Sequence, residues 1–328
     1  MGPDLNDIVE QLTLDTNAAI GIPLALLGAV ALSFGTQFQH RGVVKVEAMR
    51  GSSDSGMSLG SIGALVTRPS WVLGTVLLAV AIALQLTSLW FAPLIVVQPL
   101  GAVALVVTAL LNARLSKTPL DGATIRAILL CVGGVGAFVV VAALFAQSHP
   151  VTETQLTIVL ITLTGVLAAW GVLFAIFRKR ASPMFYILAA GSIYGFVATL
   201  AKVIMGRIQT LLASEFQFGA AEWLTIGCLV GLIVAALIGM YFVQSAHANG
   251  PPDLVVAGLT VVDPIVAVSI GIIVLGEAAG APWEAMVAFA LFGAVAVFGV
   301  FQLAKHHPHM QEDAVAEKVD EIEERLQR

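Results

Sequence analysis

Followed from end to end, the chain alternates long apolar runs with short polar stretches. A helix of about 20 residues, rising 1.5 Å per residue, spans the hydrocarbon of a bilayer, so apolar runs of about 18 residues or more read as membrane-crossing helices. Nine such runs occur, at 19–40, 71–91, 93–113, 123–146, 155–177, 184–206, 223–243, 254–276 and 283–304. The pattern predicts an all-α, polytopic membrane helical bundle of nine transmembrane helices. Residues 1–18 precede it as an acidic segment, 19–305 form the transmembrane unit, and 306–328 form a tail helix. In the tail, Val315, Val319, Ile322 and Leu326 recur at steps of four, three and four, a short apolar stripe that reads first as a solvated amphipathic helix and second as a pairing face for two copies in a homodimer.

Composition strengthens this reading. Of 328 residues, 58% are hydrophobic and only 11% charged, beyond the range of ordinary soluble domains. The first eighteen residues hold Asp4, Asp7, Glu10 and Asp15 and no Lys or Arg. They lack the basic start of a secretory signal, so the first apolar run is expected to stay as a helix. Basic residues then orient the bundle. Arg41, Lys45, Arg50 and Arg68 follow the first span, Arg114, Lys117 and Arg126 flank the third connection, Arg178, Lys179 and Arg180 follow the fifth span, and Lys305, Lys318, Arg325 and Arg328 end the chain. These are fourteen of the sixteen basic residues, and alternation of the spans puts all four groups on one side. The expectation is a cytoplasmic (inner) membrane protein with its N-terminus outside and its C-terminus in the cytoplasm.

Little in the sequence suggests catalysis. There is no glycine-rich phosphate loop, no nucleophile elbow and no metal-spaced His/Glu set, so the expectation is neither an enzyme nor a cofactor or resident-metal protein. Cys131 and Cys228 fall inside spans and read as small packing residues. His306, His307 and His309 form a weak metal-binding tract at the membrane edge. The net charge of −5 lies mostly in the termini and gives no reason to expect a nucleic-acid partner. The expected partners are the lipid bilayer and a small-molecule or ion substrate.

An internal repeat shapes the functional expectation. "VVQPLGAVAL" at 96–105 falls on "VVDPIVAVSI" at 261–270 after a shift of 165, with five of ten positions identical and two Leu/Ile exchanges. "GGVGAF" at 133–138 falls on "GAVAVF" at 293–298, and "LSFGTQFQHRG" at 32–42 on "SIYGFVATLAK" at 192–202, both at a shift of 160. Helices one to four (about 19–146) thus resemble helices six to nine (about 184–304), with a linker helix at about 155–177. Five crossings separate equivalent helices, so the halves are expected to be inverted. Inverted repeats are a recurrent architecture of secondary transporters, with the binding site near the midplane.

The polar residues inside the spans are the candidate site. Asp263 lies about nine residues into the eighth span, roughly midway at 1.5 Å per residue. A carboxylate there costs at least about 2.5 kcal/mol on insertion scales and usually faces a cavity. Thr260 shares its helix face. Lys202 ends a small-residue stripe of Gly191, Gly195 and Ala198 and is the candidate cation, about 13 Å from Asp263 along the membrane normal by helical rise. Gln37, Gln85 and Gln98 add uncharged donors and acceptors, Gln98 being the repeat partner of Asp263, and Tyr194 beside Gly195 is a further candidate lining residue. Pro99 and Pro264, equivalent in the repeat, each remove a backbone donor and are candidate kinks or hinges. The small residues Gly227, Gly231, Ala235 and Gly239 read as a packing seam.

"FAPLIVVQPLGAVALVVTALLNARL" at 91–115, "PIVAVSIGIIVLGE" at 264–277 and the repeated halves resemble the drug/metabolite transporter (EamA-like) superfamily, and within it the NIPA-like branch. The resemblance spans about 19–305. Leu275, Gly276 and Glu277 match the superfamily's helix-end signature, Pro99 and its neighbours match the Pro-Leu-Gly step of the branch, and Lys202 matches a lysine of the corresponding helix. Asp263 stands where that branch usually carries an apolar residue. The resemblance implies a secondary transporter working by alternating access on a small metabolite, drug or ion; the mid-span carboxylate itself, apart from the resemblance, suggests that Asp263 takes up and releases a proton or binds a cation. Magnesium transport of the NIPA-like kind is a second reading, and a non-transporting membrane scaffold or assembly subunit a third.

Overall fold

The computed structural model describes residues 16–50, 66–116, 120–177, 180–213 and 221–306. The acidic N-terminal residues, the apolar stripe of the tail, His307 and His309 lie outside the described residues. Ten helices occur in chain order: α1 (Thr16–Arg50), α2 (Pro69–Phe91), α3 (Leu94–Leu100), α4 (Val103–Ser116), α5 (Gly122–Phe145), α6 (Glu153–Phe177), α7 (Pro183–Ala213), α8 (Ala221–Asn249), α9 (Pro252–Ile273) and α10 (Trp283–His306). Among the described residues they supply nine segments long and apolar enough to cross a membrane, α3 and α4 together making one of them. The protein is therefore a multi-pass membrane helical bundle.

Local chemistry explains why these segments are helical. In hydrocarbon every backbone N–H and C=O must be paired within the chain, which an α-helix achieves alone. Hydroxyls on the outer faces follow the same rule. Thr162, Thr164, Ser245 and Ser269 each donate to the carbonyl four residues earlier, at 2.7–2.8 Å. The lipid side is apolar, with Leu129, Ile161, Ile176 and Leu237 all exposed. At the start of α5 the Asp121 carboxylate accepts from Thr124 N–H at 2.8 Å, a conventional N-cap.

Small residues set the packing. No hydrophobic force distinguishes protein from lipid tails here, so helices associate where backbones come close enough for dispersion. α1 lies along α2, where a Cβ added at Gly74 would sit 2.5 Å from Gln39 N and 2.7 Å from Gly35 O. α5 and α10 cross antiparallel. A Cβ at Gly134 would lie 2.5 Å from Ala296 N, and one at Gly299 2.4 Å from Cys131 N. α7 packs on α8 and α9, with Gly191 and Gly195 against Val262 and Val266. In the seam of α8, Gly227 and Gly231 face Leu160 of α6, and Gly239 faces Tyr194.

Two interruptions depart from a plain reading of the spans. The third span, expected as one helix over 93–113, breaks between α3 and α4. Pro99 has no N–H, and the chain tightens into three-residue turns in which Gly101 N–H donates to Gln98 O at 3.1 Å and Ala102 N–H to Pro99 O at 3.2 Å. Its repeat partner Pro264 lies inside an unbroken α9. The eighth span ends at Ile273 rather than 276. Gly276 adopts φ 70°, a left-handed conformation open to glycine, and Glu277 N–H turns back onto Gly271 O at 3.0 Å.

Candidate functional site

A cavity of about 340 Å³ lies between α1, α2, the α3–α4 joint and α9. Gln85 from α2, Gln98 from α3, and Thr260, Asp263 and Pro264 from α9 line it, with Gly28, Ala29 and Ala81 as small walls. All of these lie inside membrane-crossing segments. Gln98 is buried and Gln85 half-buried. Among the described residues, Asp263 is the one charged side chain on its wall.

α9 delivers Thr260, Asp263 and Pro264 together for a simple reason. Residues 260, 263 and 264 are three and four apart, which places them on one helix face. Thr260 Oγ donates to Val256 O at 2.8 Å. Pro264 cannot donate to the Thr260 carbonyl, so that carbonyl loses its ladder partner where the helix meets the cavity. The Asp263 carboxyl is partly buried, and its Oδ1 is shielded from solvent with no hydrogen-bond partner. An unmatched buried polar atom costs about 1–3 kcal/mol, more for a charged group, and calls for an explanation. The cavity can therefore offer a ligand one carboxylate and two amides.

The remaining candidate residues sit elsewhere. Gln37 donates through Nε2 to Asn112 Oδ1, linking α1 to α4. Tyr194 lies within electrostatic reach of Asp263 but packs against Gly239 rather than on the cavity wall. Pro99 lines a neighbouring apolar space.

Lys202 belongs to a second polar cluster, at the joint between α2 and α3. Its ammonium donates to Leu89 O and Ala92 O at 2.8 Å and to Ser148 Oγ at 3.1 Å, which occupies its three donors. It is 7% exposed. Glu277, 2% exposed, accepts from Leu94 N–H at Oε1 and from Ile95 N–H at Oε2, both at 2.8 Å. The lysine thus meets the carbonyl end of α2 and the glutamate the amide end of α3, each charge opposite to the helix end it faces. The two side chains also feel each other's charge. Lys202 is thus engaged by groups other than Asp263.

Sequence reading did not pick out Ser148, Asn112 or Gln155. Gln155 Nε2 donates to Val274 O and Leu275 O at 3.2 Å, satisfying the frayed end of α9. A polar amide at the start of an apolar span was the available signal for it. Nothing local marked Ser148, whose role comes from a contact 54 positions away.

No protein-family model matches the chain, and no solved structure matches it. Over 260 residues it is 27% identical to an uncharacterized protein of Corynebacterium glutamicum, an alignment covering 79% of this chain and 85% of that protein.

Proposed function

We propose that the protein is a secondary transporter of the drug/metabolite superfamily type, moving a small cargo across the cytoplasmic membrane by alternating access, with Asp263 as the proton- or cation-exchanging group. The observation that carries this reading is the cavity of about 340 Å³ within the spans, where the Asp263 carboxylate holds an unpartnered buried oxygen. A purely structural aspartate at that depth would be expected to satisfy both oxygens from its neighbours.

Two inverted halves supply the means of alternation. Gly134 and Gly299 are 165 positions apart, as are Cys131 and Ala296. Two close glycine contacts between α5 and α10, Gly134–Ala296 and Gly299–Cys131, therefore exchange under the shift that relates the two proline segments. That is the behaviour of a pseudo-twofold axis through the crossing, and it favours 165 over 160 as the local shift for these helices. In this reading the Lys202–Glu277 cluster closes the outer end, tying α7 and the turn after α9 to the α2–α3 joint, and it loosens when that end opens.

The purified protein, reconstituted in vesicles with a pH-sensitive dye inside, is offered a panel of amines and Mg²⁺. Wild type gives cargo-dependent proton movement and Asp263→Asn gives none. Equal proton movement by both proteins removes Asp263 from the mechanism, and Mg²⁺ entry that ignores the pH gradient moves the reading to magnesium passage. The proposed orientation, N-terminus outside, requires that a C-terminal tag be cleaved by protease in inverted vesicles and protected in intact spheroplasts.

A further inference from the structure

A second cavity, of about 500 Å³, adjoins the first. It lies between the α3–α4 joint, α5, α9 and α10, and its walls are apolar, including Val135, Phe138, Val261, Val268 and Phe289. The two spaces share Ala102, Thr260 and Pro264, so they meet along the gap between the Gly101–Ala102 turn and α9. The larger space opens sideways. Ile265 and Ser269 on α9 and Ala290 and Ala294 on α10 line it and are exposed, all within membrane-crossing segments. Lipid is the medium outside that opening.

The pair of cavities has the polarity of an amphiphile. One lobe offers Asp263, Gln85 and Gln98, and the other offers hydrocarbon with a mouth to the bilayer. No Lys or Arg lines either space among the described residues, and the three donors of Lys202 are engaged at the α2–α3 joint. An anionic head would meet the Asp263 carboxylate with nothing to offset it. A cationic head would gain that carboxylate, whose Oδ1 has no hydrogen-bond partner.

We propose that the cargo is a membrane-dissolved amphiphile with a single cationic head, entering between α9 and α10 and binding with its head at Asp263 and its chain in the lobe bounded by Phe138 and Phe289. This rests on the transport reading and deepens it. Cavities of this size and character hold molecules large enough to fill both lobes.

The test is a binding competition. Wild type and variants in phosphatidylcholine nanodiscs bind radiolabelled dodecylammonium, which is competed with butylammonium, unlabelled dodecylammonium and dodecyl sulfate. Partition into the nanodisc lipid is common to all variants, so it cancels when their dodecyl-to-butyl affinity ratios are compared. Asp263→Asn is expected to weaken dodecylammonium at least tenfold, the loss of one charged hydrogen-bond partner. Ala290→Phe and, as a second variant, Gly293→Leu project new side chains into the apolar lobe, and each is expected to lower the affinity ratio at least tenfold. Whichever of the two keeps the wild-type elution profile and helical circular dichroism is the one read. An unchanged ratio overturns the amphiphile, as does dodecyl sulfate competing as well as dodecylammonium. Either result leaves the proton-movement assay untouched, and that assay alone decides the transport reading.

Discussion

Replacing Glu277 with alanine removes the acceptor for two backbone amides at once. Leu94 and Ile95 are both 0% exposed, so water cannot take over the 2.8 Å bonds that Oε1 and Oε2 now make. A hydrogen bond to a charged group contributes about 1.5–3 kcal/mol. Counting two of them, and allowing that they share one charge, the loss comes to about 3–5 kcal/mol. The Lys202 ammonium, which feels the Glu277 charge without bonding to it, loses that attraction as well. A chain of this size loses about 2 °C of midpoint per kcal/mol, so Glu277→Ala is expected to melt roughly 6–10 °C below wild type. Cys131 and Cys228 are buried, and a dye that fluoresces on reacting with thiols reports their exposure during a thermal ramp in detergent. Glu277→Gln keeps one acceptor oxygen but turns an amide donor toward the second N–H, so it should fall between the two. Adding Lys202→Met to Glu277→Ala should cost less than the sum of the single losses, since each single change strands the other charge. A Glu277→Ala midpoint within about 2 °C of wild type would refute the assignment of this carboxylate as the cap that holds α3.

Adjacent glycines in α5 should behave oppositely. Gly134→Ala drives a methyl to 2.5 Å from the Ala296 backbone and should cost about 1–3 kcal/mol by overpacking, whereas Gly133→Ala meets nothing within 4 Å and should be neutral or raise the same thermal midpoint slightly. In the folded protein at 25 °C, neither Cys131 nor Cys228, both 0% exposed, should react with a membrane-permeant maleimide over minutes, and prompt labelling of either would mean that the α5–α10 or α6–α8 contacts open readily.

The candidate site was legible in part. Asp263 announced itself by the expense of a carboxylate at mid-span, and Gln98 by its equivalence to Asp263 under the repeat. The structure brings both, with Gln85 and Thr260, to one cavity wall. Thr260 could be placed with Asp263 because helical spacing fixes which residues share a face. Gln37 and Lys202 carried the same kind of signal, a polar group in an apolar run, yet they serve Asn112 and the α2–α3 joint. A sequence reports that a polar group must be satisfied somewhere, but the partner is chosen across tens or hundreds of positions. Glu277 is the extreme case, since its two amides lie 183 and 182 positions away.

The chain by itself determined its class and, among the described residues, its nine apolar spans. Those follow from a local balance between the length of an apolar run and the thickness of hydrocarbon, and each span settles that balance without reference to the others. Only the tertiary structure decided that one proline breaks its helix while its repeat partner does not, that Lys202 and Asp263 part company, and that a polar and an apolar cavity adjoin beside α9. Those outcomes depend on how closely particular small residues let helices approach and on which distant groups can complete each broken hydrogen-bond ladder, and both are set by the whole bundle.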